Sequence, residues 1–149
     1  QAFVPLDLEL AVDRCARLAE EVVKLGAQIL RIGLQPNELL EAAVVAGPHH
    51  PAFGDLVRGR MVRNLLESQI AQLLPLQKEL PLIAKLSIPK SLEGSARGPA
   101  SQNLEWLKQR FLFQSIELSV VEEGSEKNRK LTQQFEKIQI RLYSSDRPS

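Results

Sequence analysis

The chain has 149 residues, 44% of them hydrophobic, and a formal net charge of +1. That length suits one medium domain or two small ones with a real core, and so even a charge balance argues against a strongly electrostatic partner for the chain as a whole. A single cysteine excludes an internal disulfide and any cysteine-only metal site, suits a reducing compartment, and makes a cytoplasmic location the expectation.

No run of about 18 apolar residues is present, so no transmembrane helix is expected. The first residues carry neither a basic stretch nor an apolar segment of the signal-peptide kind. Opening at Gln1 with a strand-like Ala-Phe-Val, the chain reads as a piece of something longer. Residues 7–25 read as a helix. Asp7 is placed to cap it, and Leu8, Ala11, Val12, Cys15, Ala19, Val22 and Val23 recur at helical spacing. Asp13 with Arg17, and Glu20 with Lys24, are opposite charges four residues apart on the wet face. Gly26 is a natural stop. Residues 28–34 then read as a strand ended by Pro36, which makes a helix–turn–strand unit of the kind that closes one repeat of an α/β fold.

Asn37 is placed to cap a short helix through Ala46. Next comes Gly47-Pro-His-His-Pro-Ala-Phe-Gly54, which holds both histidines between two prolines. Proline fixes its own φ and pushes the residue before it out of the α region. Gly47 and His50 should therefore be non-helical, with Pro51 as the first residue of a new helix. Gly47, Pro48, His50, Pro51 and Phe53 form a rigid structural corner. A hydrogen bond that fixes the corner is the expected role of His50. From there residues 52–74 read as one long helix ended by Pro75, with Phe53, Leu56, Val57, Met61, Leu65 and Leu73 as its apolar stripe. Arg58, Arg60 and Arg63 crowd its first half. They form either a solvated basic face or a patch for phosphates or an acidic partner.

From Leu82 the period changes from helical to alternating. Leu82, Ala84, Leu86 and Ile88 alternate with Ile83, Lys85 and Ser87 in a half-buried strand closed by Pro89. Residues 90–96 fit one or two helical turns, and Gly98-Pro99 marks a loop. A helix from Ser101 or Gln102 through Phe111 carries Leu104, Leu107 and Phe111 on one face. Trp106 lies off that face, near Asn103, Gln102, Gln109 and Arg110. It either packs against the long helix or offers a stacking platform for a base. Ile116, Leu118 and Val120 alternate in a second strand. Residues 122–136 are polar, with a hairpin loop or loose helix near residues 128–135. Ile138, Ile140 and Leu142 alternate in a third strand, and the tail from Ser144 is expected to fray.

Cys15 is alone within a helix, so a core role is expected. His49 and His50 are neighbours with no further histidine to complete a metal site. The sequence contains no G-x-S-x-G, P-loop or G-x-G-x-x-G. Gly94-Ser-Ala-Arg-Gly98 lacks the Lys-Ser/Thr of a phosphate-cradling loop.

Two resemblances add to this reading. Arg31-Ile-Gly-Leu-Gln-Pro36 followed by Val44-Val-Ala-Gly-Pro-His-His-Pro-Ala-Phe-Gly-Asp-Leu-Val57 resembles the C-terminal part of the Elongator catalytic-subunit-like radical SAM proteins, relatives of oxygen-independent coproporphyrinogen oxidase. His49 stands where that family usually has an aromatic residue. The resemblance covers roughly residues 1–75. It implies an upstream, incomplete TIM-like barrel carrying a Cys-x3-Cys-x2-Cys cluster site, with S-adenosylmethionine and a 4Fe–4S cluster in the parent protein and none in this chain. Leu86-Ser-Ile-Pro89, Gly98-Pro-Ala-Ser101, the helix to Phe111 and the strand over residues 116–121 resemble the β–α–loop–α–β core of KH domains, which clamp single-stranded backbone at a G-x-x-G loop. Here the loop lacks the second glycine and, at Pro99, an N–H donor.

The expected fold is α+β. A helix–strand unit and long helices span residues 1–75, and a KH-like β-α-α-β-β three-stranded sheet covered by helices spans residues 76–149. The expected function is a non-catalytic C-terminal accessory domain of a radical SAM enzyme that recognises its substrate, with RNA as the candidate. Arg97, Lys90, Trp106, Lys108 and Arg110 are the contact candidates, together with Arg58, Arg60 and Arg63. The expected partners are the upstream barrel, RNA and a second copy of the chain, with no membrane. No catalytic residue, metal ligand or cofactor is expected within the chain. The alternatives are a purely structural packing or self-association module, and an enzyme with His50 in a cleft.

Overall fold

The structure is a computed structural model, and it describes residues 4–34, 42–77, 82–122 and 131–144. The fold is α+β. The chain divides into two compact units, residues 1–61 and 62–149. Among the described residues, no helix is long and apolar enough to cross a membrane.

In the first unit, α1 spans Leu8–Lys24. Asp7 caps it by accepting from the Leu10 N–H at 2.8 Å. At the other end Gly26 N–H donates to Val23 O at 2.9 Å and Ala27 N–H to Val22 O at 3.2 Å. This paired arrangement satisfies the last carbonyls and stops the helix. Ala11, Val12, Ala16, Ala19 and Val23 are its buried face. Arg17 pairs with Asp13 at 3.0 Å as expected, but Lys24 pairs with Glu21 at 2.6 Å rather than being placed by Glu20.

Residues 28–34 are not a strand. Among the described residues, sheet pairing joins only three strands of the second unit. A segment with no neighbouring edge has no ladder to enter. Instead the backbone lies against the start of the long helix, where a Cβ on Gly54 would sit 2.7 Å from the Ile32 carbonyl oxygen. Only glycine allows that approach. Asn37 lies outside the described residues, and of the expected short helix Ala42 and Ala43 are helical.

The long helix α2 spans Phe53–Leu73, and a 3-10 turn, Leu74–Leu76, contains Pro75. Pro51 is not its first residue. Phe53 N–H donates to His50 O at 3.0 Å, so Pro51 is the second residue of a turn, a position its fixed φ suits. The expected stripe of α2 is right at Val57 and Met61 and misses Val62, Leu66 and Ile70, all fully buried. The first pair lies in the first unit and the latter three in the second.

The second unit is built on β1, Leu82–Pro89, the central strand of the order β2-β1-β3. A 3-10 turn Lys90–Leu92, α3 Glu93–Arg97, a second turn Pro99–Ser101 and α4 Gln102–Phe111 lead to β2, Ser115–Val121. β2 runs parallel to β1, which requires such a crossover. α5, Leu131–Phe135, precedes β3, Gln139–Ser144, antiparallel to β1. Residues 128–130 lie outside the described residues. Ser144 is not a frayed tail: it is buried and pairs with Leu82. The core gathers Val62, Leu66 and Ile70 of α2, the four inward residues of β1, Leu92, Ala96, Leu107, Phe113 and Ile138. At roughly 1.5–3 kcal/mol per large apolar side chain, this inward face is the main stabilising feature of the unit.

Candidate functional site

The proline-bracketed corner is held as expected: Ala52 N–H donates to His50 Nδ1 at 3.1 Å. That bond fixes the imidazole to the turn. Around the corner lies a cavity of about 530 Å³, lined mainly by backbone and apolar side chains from Gly33, Leu34, residues 43–51 and Phe53. The two motif segments therefore meet in one place, with the Phe53 ring against Gly33. Two of the large apolar side chains that line it stand open: Val45 is 98% exposed and Leu34 76%. Among the described residues no group of three or more His, Cys, Asp or Glu could hold a metal ion. Burial pushes the Cys15 thiol up, away from the thiolate form that reacts or ligates.

The candidate cations are divided between the two units. In the first unit Arg60 is only 13% exposed. Its Nη1 donates to Asp13 Oδ1 at 3.0 Å and its Nη2 to Glu9 Oε2 at 2.6 Å, tying α2 to α1. Arg58 is exposed and makes no ion pair among the described residues. In the second unit the Arg63 guanidinium lies 4.5 Å from the centroid of the half-buried Trp106 ring, a contact worth roughly 0.5–2 kcal/mol. Trp106 packs against the core and α2, and Arg63 covers one ring face. Arg110 pairs with Glu67 at 3.4 Å and stands over Phe111. Lys90 and Arg97 both pair with Glu93, at 3.0 and 3.2 Å. The Lys90 hydrogen bond first, and the Arg97 bond second, hold the Glu93 carboxyl below the ordinary carboxylate range. Lys108 is half-buried with no ion pair among the described residues.

The loop between α3 and α4 is closed on itself. Gly98 N–H donates to Gly94 O at 2.9 Å and Ser101 N–H to Gly98 O at 3.1 Å. Gln102 N–H donates to Pro99 O, and Pro99 has no donor. Ala100 and Ser101 both take left-handed backbone, with φ of 48° and 61°. Beside the loop lies Asn103, which helical spacing sets near Trp106 and the structure buries to 4% exposure. Its Nδ2 donates to Ser95 O at 3.0 Å, and a Cβ on Gly98 would sit 2.8 Å from its Cγ.

The face of the sheet away from the core was not singled out in the sequence. Because Leu82, Ala84, Leu86 and Ile88 point into the core, Ile83, Lys85 and Ser87 take the other side. Register sets Lys85 between Glu117 on β2 and Arg141 on β3, Ile83 between Ser115 and Tyr143, and Ser87 between Ser119 and Gln139. Lys85, Glu117 and Arg141 are exposed. Ser87 and Ser119 hydroxyls lie 3.0 Å apart. Partial loss of water, then the hydrogen bond to Glu117, raises the Tyr143 phenol. The alternation itself was the signal for this face, since each strand's off-core positions could be lined up once the partners were known.

Comparison with protein-family models, with curated proteins and with solved structures finds no match for this chain.

Proposed function

We propose that this chain is the non-catalytic accessory part of a radical SAM enzyme, in which the first unit docks on the catalytic barrel and the second grips the substrate, an RNA. The observation that carries the reading is the corner. Two motif segments converge there on a cavity lined in part by open Leu34 and Val45. Exposed apolar side chains clustered in this way mark a surface that another protein surface covers. The order β1, α3, loop, α4, β2 supports the KH-like part of the reading. The cluster does not fit this chain: such centres are held by several thiolates, and Cys15 is its single cysteine. In this reading S-adenosylmethionine and the cluster belong to the barrel, and His50 serves the corner rather than chemistry.

Hydrogen exchange tests the docking, comparing this chain with a longer polypeptide that includes the sequence preceding it in its gene. Amides in residues 29–34 and 44–53 should slow at least tenfold in the longer protein. Equal rates would discard the barrel reading. Protection of the same residues in this chain alone, rising with its own concentration, would assign the surface to a second copy instead.

A further inference from the structure

We propose that the open face of the three-stranded sheet binds a single-stranded nucleic-acid backbone, with Lys85 and Arg141 as phosphate contacts and Tyr143 as the ring on which a base stacks. The proposal rests on the reading of the second unit as the substrate-gripping part, and it locates the contact on the sheet rather than on the helices.

One charge pattern on this face is disfavoured by folding alone. Lys85 and Arg141 are directly opposite on antiparallel neighbours. Side chains so placed lie about 5 Å apart at Cβ, and like charges there destabilise the sheet. Both are exposed, and among the described residues neither makes an ion pair. Glu117 is the acid in their row, in register with Lys85. Among the described residues it makes no ion pair with Lys85, and the Tyr143 hydroxyl is hydrogen-bonded to it. Lys85 and Arg141 are thus adjacent cations with no ion pair among the described residues, one register position from the Tyr143 ring. Cations that track phosphates next to a stacking ring are the combination that holds single strands without reading their sequence.

The helix side offers the opposite picture. Lys90 and Arg97 are paired with Glu93, Arg110 with Glu67, and Arg63 lies on Trp106. The amides of Gly98, Ser101 and Gln102 donate within their own loop. A phosphate arriving there would meet Lys108, which makes no ion pair among the described residues, but would have to displace the partners of Lys90, Arg97, Arg110 and Arg63. On the sheet it would supply the missing one.

The test is fluorescence anisotropy of a labelled oligouridylate titrated with the whole chain across a series of salt concentrations. Wild type should bind with a salt-dependent constant. Lys85→Gln with Arg141→Gln should weaken binding at least tenfold and flatten the log–log salt slope by about 1.4, two phosphates at about 0.7 each. Tyr143→Leu, which keeps apolar bulk without a ring, should weaken binding about fivefold or more. Arg97→Gln with Lys108→Gln should bind as wild type does. Circular dichroism of each variant confirms folding. If the helix-side pair loses binding and the sheet pair does not, the placement on the sheet is wrong while the RNA reading stands. If wild type fails to bind, both fall. If polyglutamate competes equally and Tyr143→Leu has no effect, the face takes an acidic peptide and the nucleic-acid assignment is wrong.

Discussion

The two units handle the same kinds of side chain in opposite ways. The second turns its large apolar residues inward: Leu86 and Ile88 on β1, Leu66 and Ile70 on α2 and Leu107 on α4 are all 0% exposed. The first buries mostly small residues of α1, and leaves Leu18, Leu25, Leu30, Leu34 and Val45 in water. A sheet with one covered face closes its own core. A helix and an extended segment folded over a helix start do not, and their unburied surface is what a neighbouring domain would use.

The largest expected effect sharpens this contrast. Leu86→Ala should cost about 3 kcal/mol, through lost transfer energy and the cavity left behind. Leu30→Ala should change stability by less than about 0.5 kcal/mol. Urea midpoints of the two variants measure both, and equal losses would break the comparison. Next come the two residues that hold the α3–α4 turn. Gly98→Ala combines positive φ with a 2.8 Å approach to Asn103, and Asn103→Ala removes a buried bond to Ser95 O. Each should cost about 2 kcal/mol. Because the clash needs the Asn103 side chain, the double variant should cost less than the sum by at least about 0.5 kcal/mol. Strict additivity would mean that the two act separately.

Arg60→Ala should cost about 1 kcal/mol, since its guanidinium is largely buried but Glu9 is exposed. The loss should be local. Exchange of α1 amides should quicken while those of β1 stay protected, and a uniform change would show that the first unit is not separately stabilised. The smallest effect is electrostatic. Glu93 sits below the ordinary carboxylate range because of Lys90 and then Arg97. A depressed carboxylate contributes above its unfolded pKa, and the contribution is lost as pH falls through the folded value. The Glu93 carboxyl should therefore titrate at lower pH than a free glutamate in a carbon NMR titration. Lys90→Met should move it back up.

Local features of the fold were legible because their causes are local. Asp7 and Gly26 bound α1 through bonds to residues at most five positions away, and the alternation from Leu82 marks β1 without any partner. Other features depend on distant residues. Residues 28–34 look like a strand, but a strand exists only beside another edge, which this segment does not meet. Arg60 looked like part of a basic face because its acids lie 47 and 51 residues earlier. Asn103 looked solvated because nothing in its own helix reveals the Ser95 carbonyl and Gly98 beside it. Trp106 reads from its spacing as either packed on the long helix or open to a base, and only the fold shows the Arg63 guanidinium over its ring. Lys85 and Arg141 were passed over because only register makes them neighbours.

β1 pairs on one side with a strand made soon after it and on the other with the stretch ending at Ser144. During synthesis, at about 5–20 residues per second, the central strand therefore waits several seconds with one row of amides and carbonyls unclaimed. Such a row invites pairing with another nascent chain. A polypeptide ending before Gln139 would keep the described helices of the second unit but leave that edge of β1 open, and should aggregate more readily than the whole chain.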